Sequence, residues 1–325
     1  MSPDEQTSPE QLEAHRRQLH AHCYRMLGSA QDAEDAVQET MLRAWRGLDQ
    51  FKGRSSLRSW LYSIATNVCL RMIERRPPRV LPVDYGPPAD PHAPLGPPLV
   101  ESTWIGPYPD VQLGLDTGLA GPEARYEQRE AVELAFIAAL QHLPARQRAV
   151  LILRDVLGYS GSEVANALDT TPASVYSLLQ RAHATLDHHL PERSQQPTLR
   201  SLGDRRVRAI VERYIKAWSH SDVDALVSML TEDATLAMPP TATWFRGRNA
   251  IATSLGSWAL NGKQSWRLLA TSANGQPAVG AYRRDSSGAY LPHHIAVLTL
   301  RDTRINEIDA FHDLAPEPFG LPAQA

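Results

Sequence analysis

A proline-dense segment at residues 77–122 interrupts this chain of 325 residues. It carries no Lys or Arg between Arg79 and Arg125, and all of its charged residues beyond Arg79 are acidic. Such a composition favours extended, polyproline-like chain over a packed core. Helical periodicity dominates residues 10–76 and resumes from Glu123 to about Pro191. We therefore predict two helical domains separated by an extended acidic linker.

A different pattern begins after Pro191. The stretch SQQPTLRSLG looks like a second linker, and an amphipathic helix is predicted beyond it at 204–230. The alternating runs HHIAVLTL and RINEIDAFHD read as strands. The predicted fold class is multidomain, with two all-α domains and one α+β domain. The boundaries are 10–77 and 123–192 for the helical domains, 78–122 and 193–203 for the linkers, and 204–318 for the α+β domain.

Composition excludes several classes of protein. No apolar run approaches the roughly 20 residues that a membrane span needs, and the amino terminus lacks the apolar region of a secretory signal. We therefore expect a cytoplasmic protein that does not contact membranes. The two cysteines, Cys23 and Cys69, lie within helical patterns and have no metal-like Cys/His spacing. Buried thiols are the expected outcome, and neither a metal site nor a cofactor is predicted.

The stretch 32–61 begins as a strongly amphipathic acidic helix. Its apolar stripe has i, i+3, i+4 spacing, and this spacing places Trp45 in the core. On the opposite side, Leu42 lies among charged and amide side chains, which is common at interfaces and also ordinary on a solvated face. Both readings stay open at this point. The residues of the candidate partner surface are Asp35, Gln38, Glu39 and Leu42.

The sequence FKGRSSLRSW follows as a basic, aromatic hinge around Gly53. Ser55 or Ser56 is positioned to cap the next helix, predicted at about 57–75, and helical spacing places Trp60 in the core. The other side of that helix carries small polar groups and ends in cations, which suits close approach to a nucleic-acid backbone. The candidate strand-contacting residues are Phe51, Lys52, Arg54, Ser55, Arg58, Asn67, Arg71 and Arg75.

A helix-turn-helix is predicted within residues 143–186. A tight turn at Asp169-Thr170 separates the two helices, and Thr171-Pro172 supplies an N-cap and a first helical position. An ordinary helical hairpin is the alternative. If the second helix reads a major groove, the outward residues are the reading set. These are Ser174, Tyr176, Ser177, Gln180 and Arg181.

In this order and spacing, residues 12–190 resemble a bacterial extracytoplasmic-function (ECF) sigma factor of the sigma-70 family. DAEDAVQETMLRAW is similar to the helix that grips the clamp helices of RNA polymerase. FKGRSSLRSWLYSIATNVCLRMIERR resembles the melting loop and the −10 reading helix, and SGSEVANALDTTPASVYSLLQRAHATL resembles the helix-turn-helix that reads the −35 element. The resemblance implies two partners, namely core polymerase (clamp helices and flap) and promoter DNA.

The charge balance supports dependence on the polymerase. Residues 1–194 carry 19 Lys and Arg against 24 Asp and Glu. Non-specific DNA affinity arises mainly from neutralising phosphates, so a regulator that binds DNA alone is usually basic. We expect this chain to bind promoters poorly by itself. Opening a base step costs a few kcal/mol (about 2–4), and a pocket for the flipped base in the loop around Phe51 would reduce that cost.

The carboxy-terminal part resembles a SnoaL-like, ketosteroid-isomerase-like cone, on the sequences DALVSMLTEDA and FRGRNAI. In this fold a curved sheet encloses an apolar cavity. Three roles stay open for the domain: catalysis, with Asp309 and His312 as the plausible acid–base pair; a ligand-sensing cavity; or packing and docking. A small-molecule ligand and an anti-sigma factor stay open as further partners. The candidate cavity residues are Trp218, Trp244, Trp258, Tyr282, His294, Asp309 and His312.

Taken together, these patterns predict a transcription initiation factor and not an enzyme. By the resemblance, the cone modulates the two helical domains. Two rival hypotheses stay open. One is a stand-alone helix-turn-helix regulator with a ligand-binding cone, and the other is a small-molecule isomerase or hydrolase with an accessory DNA domain.

Overall fold

The structure is a computed structural model that describes residues 9–51, 53, 55–99, 104–113, 129–190 and 194–325. Within these ranges the chain forms two compact units. We call residues 9–79, 112–113 and 135–190 the helical unit. We call residues 80–99, 104–111, 129–134 and 194–325 the sheet unit.

Thirteen α-helices lie in the described ranges. In chain order they are α1 (Pro9–Glu13), α2 (Arg16–Leu27), α3 (Ala30–Gly47), α4 (Leu57–Ile73), α5 (Pro82–Tyr85), α6 (Leu134–Gln141), α7 (Ala145–Leu151), α8 (Gly161–Ala167), α9 (Pro172–Leu186), α10 (Gln195–Leu202), α11 (Asp204–Ser219), α12 (Val223–Ser228) and α13 (Arg248–Trp258). None of them combines the length and the apolarity needed to cross a lipid bilayer.

Helices α2, α3 and α4 pack together as the first part of the helical unit. Ser29 caps α3 by accepting from the backbone N–H of Asp32, and Ser56 caps α4 by accepting from Ser59, which confirms one of the two predicted caps. Cys23 and Cys69 are buried free thiols, as predicted. This arrangement leaves the outward face of α3 exposed to solvent.

The predicted position of Trp45 is wrong. Its side chain is 64 % exposed, because it lies at the edge of the α3 stripe, where none of the helices described by the structure covers it. Trp60 is half-buried and packs its ring 5.0 Å from the ring of Phe51, centroid to centroid. The hinge aromatics therefore stabilise each other, whereas Trp45 adds apolar surface to the exposed side of α3.

The predicted helix-turn-helix is confirmed in its local detail. Ser160 and Glu163 form a capping box at the start of α8. Asp169 adopts φ of 49°, the left-handed conformation that a tight turn after a helix requires. The Thr171 hydroxyl accepts from the backbone N–H of Ser174, and Pro172 occupies the first turn of α9.

Arg148 of α7 fixes how the two parts of the helical unit pack. The side chain is 3 % exposed, and its guanidinium donates to the backbone carbonyls of Met26, Gln141 and Leu143 and to the Gln141 side chain. Burial lowers the pKa of this guanidinium to about 10, so it stays charged at neutral pH. Because a buried cation without hydrogen bonds is costly, these carbonyls hold α7 against the end of α2.

The sheet unit contains six strands: β1 (Leu230–Ala237), β2 (Trp244–Arg246), β3 (Trp266–Ala273), β4 (Gln276–Arg284), β5 (Tyr290–Arg301) and β6 (Arg304–His312). Their order is β2-β1-β6-β5-β4-β3. The β1–β6 pair is parallel and the other pairs are antiparallel. One face of the sheet packs against α11 and α13 around a continuous apolar core that includes Trp218, Phe245 and Trp266. This confirms the predicted α+β fold.

The stretch 194–203 differs from the predicted linker, because residues Gln195–Leu202 form α10. Ser194 caps this helix, and Pro197 lies in its first turn, where the missing N–H costs no intrahelical hydrogen bond. The Gln195 side chain exchanges two hydrogen bonds with the backbone of Leu300 in β5. Contacts this distant in sequence stabilise a helix that polar composition alone does not indicate.

Candidate functional site

The outward face of α3 is an acidic surface with exposed apolar groups. Asp35, Gln38 and Leu42 are exposed at spacings of three and four residues, and Leu42 is 47 % exposed. Glu39 is half-buried and pairs with Arg43 at 2.5 Å. Trp45 continues the same stripe one turn later. The predicted partner residues thus lie together on one helix face, with two large apolar side chains facing solvent.

The hinge after α3 is described only in part, because Lys52 and Arg54 lie outside the described residues. Phe51 is half-buried against Trp60, and Ser55 is exposed. The Arg58 guanidinium lies over two rings, 5.3 Å from the centroid of Tyr62 and 5.5 Å from that of Tyr159. Cation–π contacts of this kind hold the arginine side chain along α4.

The polar face of α4 contacts the helix-turn-helix. The Asn67 amide and the Ser63 hydroxyl each donate to the backbone carbonyl oxygen of Ala167, both at 3.2 Å. Ala167 is the last residue of α8, where helical carbonyls lack intrahelical partners. Arg71 and Arg75 remain exposed further along the chain. Asn67 is therefore engaged within the protein, whereas Arg71 near the end of α4 and Arg75 just beyond it are exposed.

The outward face of α9 carries the predicted groove-reading residues. Tyr176, Ser177, Gln180 and Arg181 are exposed, and Ser174 is half-buried. The Tyr176 ring lies against Gly161 of α8, where an added Cβ would meet its hydroxyl oxygen at 3.1 Å. The two helices cross closely at this glycine, and the reading face stays open to solvent.

Asp32, in the first turn of α3, is buried in an ion-pair cluster. Its carboxylate pairs with Arg76 at 2.5 Å and with Arg79 at 2.6 Å. Burial alone would raise the pKa of Asp32, but the two guanidinium groups lower it below its usual value. This cluster ties the start of α3 to the chain that leaves α4.

In the sheet unit, the β3–β4 hairpin forms a hub for distant segments. Asn274 and Gly275 both have positive φ, 57° and 67°, and form the two-residue Asn-Gly turn that right-twisted hairpins favour. The Asn274 amide accepts from the backbone N–H of Tyr108 at 2.8 Å and donates to the carbonyl of Val132 at 2.8 Å. The backbone N–H of Asn274 also donates to the carbonyl of Tyr108.

The proline-dense chain follows the surface of the sheet domain. We call residues 80–99 and 104–111 the connector. The Trp104 indole donates to the carbonyl of Pro240 at 2.8 Å, and the Trp244 indole donates to the carbonyl of Gly86 at 2.8 Å. Asp110 accepts from the backbone N–H of Gly275. The connector is largely without regular secondary structure, as its composition predicts. Hydrogen bonds between side chains and backbone groups, with the side chain on either partner, hold it against the sheet.

A second segment, residues 129–134, docks at the same hub. The buried Glu133 carboxylate accepts from the backbone N–H groups of Gln195 and Gln196 and from the Ser194 hydroxyl, at the amino terminus of α10. Burial raises the pKa of Glu133, although these donors oppose the shift. The Gln276 side chain accepts from the backbone N–H of Leu134. Both segments flanking 114–128 are thus attached to one end of the sheet.

The predicted cavity residues separate into two sets. Trp218, His294 and His312 lie together, with ring centroids 5.8 Å apart for Trp218–His294 and 5.2 Å for His294–His312. Trp258 packs at the edge of the same core. By strand alternation, the other members point to the opposite face of the sheet. These are Trp244, Tyr282 and Asp309.

Asp309 and His312 do not form the predicted pair, because residues three apart on a strand point to opposite faces. Asp309 is buried beside the charges of Glu307 and Asp84, and its pKa is raised well above its usual value by burial first and by these neighbours second. His312 faces the core with His294. The arrangement gives no support to an acid–base couple of these two residues.

Three contributors to the hub were not singled out from the sequence. Tyr108, Glu133 and Gln195 carry no local signal for docking, since their partners are far away along the chain. The Asn274-Gly275 pair is the local sequence signal for the hairpin turn. The pair does not show that the Asn274 side chain also forms hydrogen bonds with residues 142 or more positions away in the sequence.

Comparison with known proteins defines the class. Residues 12–77 match the family described as Sigma-70 region 2, residues 133–186 match Sigma-70, region 4, and residues 211–308 match the SnoaL-like domain. In fold, the chain is similar to the crystal structure of the Mycobacterium tuberculosis extracytoplasmic function sigma factor SigJ. That similarity has a TM-score of 0.55 at 22 % identity, over 97 % of this chain and 100 % of that one.

The sequence is also similar to the ECF RNA polymerase sigma factor SigG of Mycobacterium tuberculosis, with 44 % identity over 95 % of this chain and 82 % of that protein. It is 32 % identical to SigM of the same species over 53 % of this chain and 71 % of that protein. The chain therefore belongs to the ECF RNA polymerase sigma factor family. This confirms the predicted family, and it confirms that two helical sigma domains are followed by a SnoaL-like domain.

Proposed function

We propose that this chain binds core RNA polymerase through the outward face of α3, directs it to promoters, and assists the opening of DNA. The observation that supports this most is the exposed acidic and apolar stripe of α3, followed by a helix-turn-helix with an open reading face. Leu42 and Trp45 supply desolvatable apolar area, and Asp35 supplies charge for orientation. Family membership makes core polymerase the partner that this stripe fits.

Two helices divide the reading of the promoter in this proposal. The −10 element is assigned to the hinge and the polar side of α4, where Asn67 can pair with an exposed base edge and Arg71 and Arg75 can neutralise phosphates. The −35 element is assigned to α9, where Gln180 and Arg181 project outward and can bond base edges in a major groove. Ser174, Tyr176 and Ser177 complete that set.

The described conformation is a closed one with respect to α4. Asn67 and Ser63 both bond the end of α8, so this part of α4 cannot bind DNA until α8 moves away. Two hydrogen bonds are worth about 1–3 kcal/mol net, which is small compared with the free energy of binding a large partner. We infer that core binding separates α4 from α8 and that this opening makes promoter recognition dependent on the polymerase.

The carboxy-terminal domain is assigned a regulatory role and not a catalytic one. Its β3–β4 hairpin holds the connector and residues 129–134, which are the two segments that lead from one DNA-reading part to the other. A conformational change that moves the two parts relative to each other must satisfy these attachments or break them. Docking of the connector on the hairpin therefore favours one arrangement of the two reading helices, α4 and α9, over others.

The proposal is tested by size-exclusion chromatography and gel shift with purified full-length chain. We expect co-elution with core polymerase, and binding to promoter-containing duplex only when core is present, because the acidic balance gives the free chain little phosphate affinity. Tight, sequence-specific duplex binding by the free chain, without co-elution, would instead identify a stand-alone helix-turn-helix regulator.

A further inference from the structure

The core-facing side of the sheet is apolar along β5 and β6 but carries histidines toward one end of these strands. On β5, Leu298 and Ala296 face the core and His294 follows them; on β6, Ile308 and Ala310 face the core and His312 follows. His294 and His312 are directly paired across the two strands. Because alternate residues of a strand share one face, the two histidines lie on the same face as these apolar residues, at the edge of the core.

A β-bulge adds a third histidine to this pair. On β4, Ala281 and Tyr282 are consecutive, but their partners on β5 are His294 and Pro292, so His293 is an extra residue. In a regular strand His293 and His294 would point to opposite faces, whereas a bulge re-aims the side chain at the irregularity. The ring of His293 accordingly lies on the same side, 4.9 Å from the ring of His312, centroid to centroid.

The three imidazoles are close enough to share one ion. One ring nitrogen of each histidine lies within 4.8 Å of the corresponding nitrogens of the other two. The Nδ1 atoms of His293 and His294 are 2.9 Å apart. Zinc–nitrogen bonds of about 2.0–2.1 Å at tetrahedral angles place ligand nitrogens about 3.3 Å apart. Small rotations about the side-chain bonds of His312 therefore suffice to close the set.

We propose that His293, His294 and His312 form a binding site for one divalent transition-metal ion, Zn²⁺ in the first instance, with a fourth coordination position open to an exogenous ligand. Three neutral imidazoles suit zinc, copper, iron and nickel and do not suit the oxygen-preferring ions Mg²⁺ and Ca²⁺. The site lies outside the surfaces assigned to polymerase and DNA, so it stands or falls independently of the proposed function.

Packing around the cluster restrains the side chains that would bind the metal. The half-buried His293 lies beside the buried His294. Edge-on packing against Trp266 restrains the ring of His293. Restrained ligands lose little conformational freedom when a metal binds.

His293 also lines an open surface groove of about 890 Å³, which gives an ion and a fourth ligand access from solvent. Lys263, Arg283, Arg284 and Asp285 line the same groove, so its net charge is positive. Their charge opposes a bare divalent cation, and it favours an anion as the fourth ligand. We therefore expect the site to take a metal together with a hydroxide, carboxylate or phosphate oxygen.

The test uses the full-length chain, freed of metal with a chelator and then titrated with Zn²⁺ in competition with a chromophoric chelator. We expect one tight site per chain, and a visible absorption band of tetrahedral type when Co²⁺ replaces Zn²⁺. The variants His293→Gln and His312→Gln should weaken binding by about 100-fold or more and abolish the Co²⁺ band. His220→Gln, which changes an exposed histidine on α11's carboxy-terminal side, should leave both unchanged.

Circular dichroism and the Tm of each metal-free variant establish that it is folded. If His312→Gln proves unstable, His293→Gln, at another half-buried position, supplies the test. Zinc should raise the Tm of the wild type and of His220→Gln, but not that of His293→Gln. Absence of a tight site in the wild type overturns the proposal. So does binding of equal strength in folded His293→Gln, since the ion would then be held by other histidines.

Discussion

The side-chain nitrogen Nδ2 of Asn67 lies 3.2 Å from the backbone carbonyl oxygen of Ala167. One residue belongs to the helix assigned to the −10 element, and the other ends the first helix of the helix-turn-helix. In the described conformation this hydrogen bond covers the part of α4 that is proposed to read the −10 element. In the proposed mechanism, α4 therefore separates from α8 before it engages the promoter.

Energy transfer between dyes can detect this separation. Dyes on cysteines introduced at the exposed positions Gln31 and Asp187 report on the two parts, since the native Cys23 and Cys69 are buried. We expect the transfer efficiency to fall when core polymerase is added without DNA, because core binding breaks the Asn67–Ala167 contact. An efficiency that stays constant in a complex shown to have formed would contradict the opening step.

Leu42→Glu tests the proposed polymerase-binding surface. Leu42 is 47 % exposed, so the substitution should leave the Tm nearly unchanged while it places a charge in an interface that must be desolvated. We expect the Kd for core polymerase to rise about 10-fold or more, as for a residue near an interface centre. Leu291→Glu, at a side chain that is 39 % exposed on β5, is the matched control and should bind core normally.

Gly275→Ala tests attachment of the connector to the sheet. A Cβ at Gly275 would lie 2.8 Å from Cβ of Arg129, and the residue has φ of 67°, so the substitution both strains the turn and pushes away residues 129–134. We expect faster limited proteolysis of the connector and altered transcription by the reconstituted holoenzyme. Gly288→Ala has similar backbone strain, at φ of 93°, but meets only the flexible Arg284 side chain. Equal proteolysis of both variants would argue against the attachment.

Because of His22, we expect the free energy of unfolding of the helical unit to fall at acidic pH. The ring is fully buried, with Nε2 2.9 Å from Oγ1 of Thr66, and burial followed by the charge of Arg25 lowers its pKa to about 3. Below the unfolded pKa of about 6.5, the unfolded chain binds a proton that the folded chain does not. Stability from this group is therefore complete above pH 6.5 and is lost as the pH falls toward 3.

The loss amounts to about 1.4 kcal/mol per pH unit for one such group, or about 2 kcal/mol between pH 7 and pH 5. Urea unfolding at the two pH values measures it. His22→Asn lowers stability at both values but should show a pH dependence smaller by about that amount. His220→Asn, at an exposed site, should keep the wild-type dependence; an unchanged dependence in His22→Asn would refute the assignment.

Local chemistry explains what could be predicted from the sequence. The cap at Thr171, the turn at Asp169 and the cap at Ser56 depend on neighbours within three or four residues, so the pattern contains the whole cause. The exposed position of Leu42 was predictable for the same reason. Trp45 was assigned to the core because a wide apolar stripe does not reveal which of its edges a neighbouring helix covers.

The remaining features depend on contacts between residues far apart along the chain. Helix α10 is stabilised by Glu133 and by the backbone of Leu300. Because neither partner is near in sequence, the polar composition of SQQPTLRSLG predicts a linker instead of a helix. The separation of Asp309 from His312 follows from strand alternation once the strand is known. The third histidine of the cluster could not be predicted, because the bulge that turns His293 is a property of the β4–β5 register.

In vitro transcription with purified core polymerase tests the central claim most directly. The template is a pool of genomic fragments from the source bacterium, and the transcripts are sequenced. We predict discrete start sites that appear only when the full-length chain is added and that are lost with Leu42→Glu but kept with Leu291→Glu. Equal output with and without the chain, from a core preparation that responds to another sigma factor, would contradict the account.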